Sequence, residues 1–398
     1  MPLIVFMNST YERTYTVGNV RIGFCHRQLL YCLRRMVFLI LLFILAGCET
    51  LSFYGQLASG QLDILRKREP VERLLKDSSI DRGLRQQLAK IKDIQAFASL
   101  ELGLNPEGSF TTYVDLNRDY ALWNVYAAEA YAVHPVNRCY PLAGCVPYRG
   151  YFSKELALDY ARRMSKERGL ETYVGGVSAY STLGWFKDPI LSTFIYWEDQ
   201  ELASLIIHEL LHQRIWLKGD AQFNEGLASF VGNTAAIIWS QKHGRGQENQ
   251  RFLESQKHWR LFRQFVVMAR EYLQIQFLAS EDSSELSVIK SKAMRNIRDC
   301  YLELNTKVFD GRYEKFVLGD QFNNAFIASI GVYESDYLAY KRLFDSSGHE
   351  WPVFFEKIEE LMRLSREARH AELKSLSNDE ITGQADDDDA QQVHCKTF

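Results

Sequence analysis

The sequence predicts an α+β fold in which helices predominate and a small sheet precedes one helix of unusual composition. Apolar residues recur at helical spacing over most of the chain, as in QKHWRLFRQFVVMAREYLQIQFL. From about residue 110, the segment SFTTYVDLNRDYALWNVYAAEAYAV is rich in Tyr, Val, Thr and Trp with partial alternation, which favours strands. The 398 residues are 46% hydrophobic, enough for a sizeable core, and the net charge of −3 gives no polyanion-binding surface. We therefore expect no nucleic-acid partner.

Residues 1–47 are predicted to be a leader that ends in a lipoprotein signal peptide. Residues 34–48 read RRMVFLILLFILAGC, and their apolar stretch is shorter than the ~20 residues of a membrane-spanning helix. The last four residues resemble the bacterial lipobox, in which Cys48 becomes the lipid-bearing first residue; an ordinary signal anchor or a buried helix is the alternative. Either translation starts nearer Arg27 or the basic segment is unusually long. The expected location is the cell envelope, with the chain facing the periplasm and held to a membrane by a lipid on Cys48.

Residues 48–375 are predicted to form a single domain. Helical spacing continues to Gly103, Ser153 and Gly169 are expected to bound a further helix, and two strands are expected within residues 171–197. Residues 376–398 contain four consecutive aspartates and little to bury, which predicts an acidic, disordered tail.

The segment NRCYPLAGCVPYRGYF is expected to be a loop because it holds two prolines and two glycines. Cys139 and Cys145 lie within it. In an oxidising compartment they can form a disulfide if their Cα atoms lie within ~7 Å. Two buried thiols are the alternative.

The stretch IIHELLHQ places His208, Glu209 and His212 in an apolar run. Residues four apart lie on the same face of an α-helix, so both imidazoles can point at one position. This is the H-E-x-x-H pattern, in which two histidines bind zinc and the glutamate acts as a general base. A pair of hydrogen-bonded core histidines is the alternative.

A third metal ligand is expected soon after this helix. Lys218 and Gly219 are predicted to end it, and a second helix is predicted to begin with Asn224 as N-cap, which places Glu225 at its start. Two histidines and one glutamate leave a fourth position for water, as catalytic zinc requires. Asp220 is the alternative third ligand. It can instead accept a hydrogen bond from the other ring N–H of a metal-bound histidine and so orient that imidazole.

The expected chemistry is hydrolysis by metal-activated water. Zinc lowers the pKa of its bound water to about 7, and Glu209 would carry the water's proton to the leaving amine. The oxyanion formed needs a further donor. Tyr180 is the first candidate catalytic donor, and Tyr148, Arg149 and Tyr151 are the alternatives.

Five segments together resemble the bacterial family of predicted zinc aminopeptidases, whose members are exported and often lipid-anchored: CYPLAGCVPYRGYF, AYSTLGWFKDPILST, HELLHQ, FNEGLASFVG and FNNAFIASIGVY. Their order covers roughly residues 48–365. The resemblance implies metal ligands at His208, His212 and Glu225, with Glu209 as the catalytic acid–base. The chain departs from the usual pattern at Leu211, where the family has a small residue, and at Gly226, where it has serine.

The sequence therefore predicts a zinc-dependent peptidase of the zincin-like, gluzincin type that acts on a peptide substrate, with an aminopeptidase as the first expectation. An extended peptide can pair with an edge strand of the small sheet, for which AYSTLGWF or ILSTFIYW is the candidate. Two other functions stay open. One is a non-catalytic envelope lipoprotein with a structural metal, and the other is a zinc hydrolase of a non-peptide amide or ester.

Overall fold

The computed structural model describes residues 34–35, 48–106, 108–140, 144–180, 187–244, 246–330, 336–378, 393 and 395. The chain divides into two compact units, Met1–Ala58 and Ser59–Phe398. The predicted leader and lipobox fall on residues outside the described ranges, apart from Arg34, Arg35 and the backbone of Cys48. Within the described ranges, no helix has the length and apolar character needed to cross a membrane.

Helices predominate, as the sequence predicts. The helices are α1 Cys48–Arg66, α2 Val71–Lys76, α3 Arg82–Leu102, α4 Lys154–Arg168, α5 Asp199–Arg214, α6 Ala221–Lys242, α7 Gly246–Phe277, α8 Ser283–Leu304, α9 Glu314–Val317, α10 Asn324–Ser329, α11 Tyr337–Asp345, α12 Trp351–Met362 and α13 Arg366–Asn378. A short π-helix, Asn305–Phe309, follows α8. The strands are β1 Glu69–Pro70, β2 Thr112–Val114, β3 Leu122–Ala128, β4 Arg138–Tyr140, β5 Gly144–Val146, β6 Tyr148–Tyr151, β7 Glu171–Val177 and β8 Ile190–Leu191.

The strands form three small sheets instead of the one expected. Their orders are β1-β2-β8, β6-β3-β7 and β4-β5. In the described part of the chain, β2 and β8 pair in parallel, and the other neighbouring strands are antiparallel. All strands in the described part of the chain precede α5, and β8 is the last of them. The predicted order of a small sheet before the motif helix is therefore present.

Local sequence signals set the ends of two helices as expected. The hydroxyl of Ser153 accepts a hydrogen bond from Leu156 N at the start of α4, and Gly169, at φ 66°, ends the helix. Gly103, at φ 65°, ends α3 in the same way. Glycine adopts this left-handed conformation without the steric cost of a Cβ, so it stops a helix at a defined residue.

The segment predicted to be a loop at 137–152 contains strands β4, β5 and β6. Cys139 and Cys145 stand directly opposite each other in the β4–β5 pair, and a disulfide joins them. β6 pairs with β3 along its whole length, with Tyr148 opposite Tyr126. Pro147 is tolerated because it falls between β5 and β6 and not inside a paired strand.

One candidate edge strand lies mostly outside the described residues, and the other is present only as the two residues of β8, at the edge of the β1-β2-β8 sheet. Residues 181–186 of AYSTLGWF lie outside the described residues. In ILSTFIYW only Ile190 and Leu191 pair as a strand, and residues 192–197 form turns. Both strand residues are buried, so their side chains pack in the hydrophobic core.

Two large hydrophobic cores stabilise the described part of the second unit. The first packs α3, α5, α6, α11 and α12, with Phe230 of α6 in ring contact with Tyr340 and Phe354. The second packs α7 and α8 with the π-helix, where the rings of Phe262 and Phe265 lie beside that of Phe309. Helix α5 belongs to the first core, so that core supports the candidate site.

The prediction of a disordered tail at 376–398 needs correction at its two ends. Helix α13 continues to Asn378, and Cys395 is buried in the second core through a disulfide with Cys300. Residues 379–392, 394 and 396–398, which include the four aspartates, lie outside the described residues.

Candidate active site

Helix α5 explains why charged and apolar residues alternate in the motif. Its apolar side chains Ile206, Ile207, Leu210 and Leu211 are buried in the first core. His208 and His212 lie four residues apart on the other face, where their side chains are 19% and 7% exposed. The apolar run is therefore the buried side of the helix that presents both imidazoles.

The two imidazoles and the carboxylate of Glu225 converge. The Nε2 atoms of His208 and His212 are 3.1 Å apart. Glu225 places Oε2 at 3.3 Å from the first of these atoms and Oε1 at 3.5 Å from the second. Ligands held at zinc's usual distances in a tetrahedral site lie about 3.3–3.6 Å from one another. The donor types and spacings of these three residues therefore fit one zinc ion.

Glu225 reaches this position by a different route from the one predicted. Helix α5 ends at Arg214 and not near Lys218, although Gly219 does take a positive φ of 84° in the turn that follows. Helix α6 begins at Ala221, so Glu225 lies one turn inside it. The side chain of Asn224, predicted to be the N-cap, instead bonds both the N–H and the C=O of Leu217 and so fixes the turn.

Asp220 is the N-cap of α6 and not a third metal ligand. Its carboxylate accepts a hydrogen bond from Phe223 N. It also accepts from Arg369 Nη2 at 2.6 Å, and His370 Nε2 lies 2.9 Å away. Asp220 is only 2% exposed and Arg369 4%. This buried ion pair links α13 to the start of the helix that carries Glu225.

Close packing of α5 on α6 brings the ligands together. A Cβ built on Gly232 would lie 2.7 Å from the carbonyl oxygen of Ser204 and 3.3 Å from the Cβ of His208. The hydroxyl of Ser204 also donates to Asn233 Oδ1 across the same contact. A larger residue than glycine at 232 would therefore push the two helices apart beside a ligand.

The charges of the site differ from those of isolated side chains. Burial raises the pKa of Glu225, but hydrogen bonds from His208 and His212 outweigh burial, so the pKa lies well below its usual range. Burial lowers the pKa of His208, but the hydrogen bond to Glu225 and the charges of Glu209 and Glu225 reverse that effect and leave it raised. The cluster is thus an ionised carboxylate that faces two imidazoles, and the imidazole of His208 is more basic than usual.

Glu209, a partly buried acid, lies next to the cluster. Its Oε2 atom is buried and has no hydrogen-bond partner among the described residues. Burial raises the pKa of Glu209, against the opposing effect of the two histidines, and the charge of Asp188 raises it further. A carboxylate with a raised pKa accepts a proton more readily than an exposed one, which suits a general base.

The structure gives Tyr180 another partner. Its hydroxyl donates to Gln61 Oε1 at 2.8 Å, and its ring packs against Phe152. Of the three alternative donors, Tyr148 interacts with the site: burial raises its pKa, and the charge of Glu225 raises it further. Arg149 and Tyr151 both pack against the ring of Tyr160.

A cavity of about 480 Å³ opens beside His208 and Glu209. The remaining residues that line it are Trp197, Glu201, Ser204, Leu205, Phe252 and Gln256. Sequence reasoning missed this cavity because Phe252 and Gln256 come from α7, which no local pattern places against α5. Glu201 could have been found, since it lies seven residues before His208 and hence on the same helix face.

Fold and site together define a mostly helical α+β protein with a three-residue cluster suited to a metal. Residues 52–373 match the model of the family described as "Putative aminopeptidase". The chain belongs to this family, and membership supports a peptidase function. Neither the curated proteins nor the solved structures gave a match.

Proposed function

We propose that this chain is a zinc-dependent peptidase with a zincin-like catalytic domain. The observation that carries the proposal is the convergence of His208, His212 and Glu225 to mutual distances of 3.1–3.5 Å, with the partly buried Glu209 beside them. Three protein donors of this type are the usual set of a catalytic zinc, which keeps its fourth position for water or substrate. A structural zinc site normally has four protein ligands, so the three-residue cluster favours catalysis.

When bound, zinc would polarise the substrate carbonyl and lower the pKa of water. The two imidazoles and Glu225 would hold it. Glu209 would take a proton from the attacking water and pass it to the leaving amine. Its Oε2, which makes no hydrogen bond to any described residue, is free to do so.

Tyr148 is the donor that we propose for the oxyanion, in place of Tyr180. It stands at one end of β6, close enough to Glu225 for the charge of that carboxylate to add to the effect of burial in raising the pKa of Tyr148. A tyrosine hydroxyl is protonated at neutral pH, and the raised pKa of Tyr148 leaves it protonated and able to donate. Tyr180 instead keeps its hydroxyl on Gln61.

The family description supports cleavage near a free amino terminus. We propose aminopeptidase activity on that ground, together with anchoring in the cell envelope through a lipid on Cys48. Peptide-library cleavage with free and acetylated amino termini tests the first point. Mass spectrometry of the native protein for a lipid on residue 48 tests the second.

Glu209→Gln tests the function itself. Glutamine keeps the shape of the side chain and cannot accept the proton, so we expect turnover to fall at least 10²-fold while one zinc stays bound. Glu254→Gln, an exposed glutamate on α7 outside the site, is the matched control. Unchanged turnover in Glu209→Gln would contradict the proposal, and absence of any peptide cleavage by the zinc-loaded wild type would favour a scaffold.

A further inference from the structure

The cavity beside the candidate active site extends along helix α5 toward its amino-terminal end. Glu201, Ser204 and His208 follow at spacings of three and four residues, so they form one stripe on the helix. Phe252 and Gln256 of α7 face this stripe at a spacing of four. The cavity is therefore a groove between α5 and α7, with Glu209 at one end and Glu201 toward the other.

Both acids of the groove lack side-chain partners. Glu201 is half-buried and makes no hydrogen bond or ion pair with another side chain in the described ranges. Glu209 lines the same groove, and its buried Oε2 atom also has no hydrogen-bond partner there. A buried polar atom without a partner, such as Glu209 Oε2, commonly has a catalytic role or meets a water or ion, and the partly exposed Glu201 lines the same groove.

The charges around Glu201 favour a cation. A second cavity of about 140 Å³ adjoins the groove, because Glu201 and Phe252 line both. Its other charged residues are Glu198, Glu248 and Arg251, so with Glu201 three carboxylates face one guanidinium. The nearby charge of Glu198 adds to the effect of burial in raising the pKa of Glu201. A bound cation would relieve this repulsion.

The helix sets the distance between Glu201 and the metal ligands. Seven residues at 1.5 Å each separate Glu201 from His208, which is about 10 Å. An extended peptide advances about 3.3 Å per residue, so this distance corresponds to about three residues of substrate.

We propose that Glu201 forms a subsite for a cationic group of the substrate, about three residues from the bond that is cleaved. The group is either a lysine or arginine side chain or the free α-amine of the peptide. An α-amine at Glu201 would make the enzyme release short oligopeptides and not single residues. The proposal rests on the proposed peptidase function, which supplies the scissile bond as its reference point.

Alanine-based peptides test the subsite. Each carries one lysine at a defined position, and its partner peptide carries the uncharged isostere norleucine there; both are made with free and with acetylated amino termini. With the zinc-loaded full chain, we expect lysine three residues from the cleaved bond to raise kcat/KM about tenfold over norleucine, the effect of one charge-assisted hydrogen bond. Glu201→Gln should abolish this preference, Glu201→Lys should shift it to glutamate, and Glu254→Gln should keep it.

The lysine comparison and the acetylation comparison distinguish a cationic side chain from the free α-amine as the group bound at Glu201. If acetylation removes cleavage three residues from the end and lysine has no effect, the α-amine is the ligand. Equal rates for lysine and norleucine with no effect of acetylation, or a preference that survives in Glu201→Gln, would overturn the subsite and leave the peptidase intact.

If no peptide is cleaved, peptide binding tests the subsite instead. Isothermal titration of the lysine and norleucine peptides then compares wild type with Glu201→Gln. Tighter binding of the lysine peptide that depends on Glu201 would support the subsite while the peptidase function fails. Equal binding of the two peptides would overturn the subsite as well.

Discussion

Gly232→Ala tests whether the close packing of α5 on α6 sets the spacing of the candidate metal ligands. The added Cβ would lie 2.7 Å from the carbonyl oxygen of Ser204, about 0.7 Å short of the 3.4 Å at which ordinary van der Waals contact begins. The obstacle is helix backbone, so α5 and α6 must separate. That movement would widen the gap between His208 on α5 and Glu225 on α6, now 3.3 Å between Nε2 and Oε2. Metal–ligand distances tolerate only about 0.2 Å.

We therefore expect Gly232→Ala to weaken zinc binding at least tenfold, the size of effect found when support of metal ligands is lost. Overpacking costs about 1–3 kcal/mol, and alanine's better helix propensity returns up to about 1 kcal/mol. The free energy of unfolding should therefore fall by at most about 3 kcal/mol. Competition with a chromophoric chelator measures the affinity, and urea denaturation of the metal-free protein measures the stability.

Gly226→Ala is the matched control on the same helix. A Cβ there would meet the ring of Tyr340 at 3.2 Å, and a side chain can yield where backbone cannot. Zinc affinity in this variant should stay within about threefold of wild type. If Gly232→Ala bound zinc as tightly as Gly226→Ala does, the reasoning from helix packing to ligand spacing would be refuted.

Two further outcomes are expected. Asp220→Asn leaves the buried guanidinium of Arg369 without its charge partner, so the free energy of unfolding, measured by urea denaturation, should fall by about 3–5 kcal/mol; an unchanged denaturation midpoint would mean that the ion pair adds nothing. Tyr148→Phe should lower kcat at least tenfold with little change in KM, because its hydroxyl is proposed to act only on the oxyanion. Tyr180→Phe should lower kcat less than threefold, and the reverse order of the two tyrosines in steady-state kinetics would contradict the assignment.

The sequence predicted the candidate ligands because helix geometry is local. A spacing of four residues places His208 and His212 on one face wherever the helix lies. The sequence also predicts Glu225 as a ligand, but it places the end of the preceding helix wrongly. Gly219 is expected to cap that helix, whereas α5 ends at Arg214. The turn between α5 and α6 depends on the side chain of Asn224, which sequence alone could not assign.

Contacts between distant segments were not predictable. Asp220 meets Arg369 and His370 across about 150 residues, and no local pattern links them. Cys300 and Cys395 are likewise 95 residues apart. Strands β4 to β6 were missed because prolines and glycines suggest a loop, whereas cross-strand pairing with β3 decides the structure of β6. Tertiary packing outweighed local propensity in each case.

Zinc content of the purified protein tests the central claim most directly. After dialysis against metal-free buffer, mass spectrometry of the metals should find about one zinc per chain in the wild type and in Glu209→Gln. Glu225→Ala, which removes one of three ligands, should retain little zinc. Full zinc in Glu225→Ala, or none in the wild type after loading, would show that residues 208, 212 and 225 do not form the metal site.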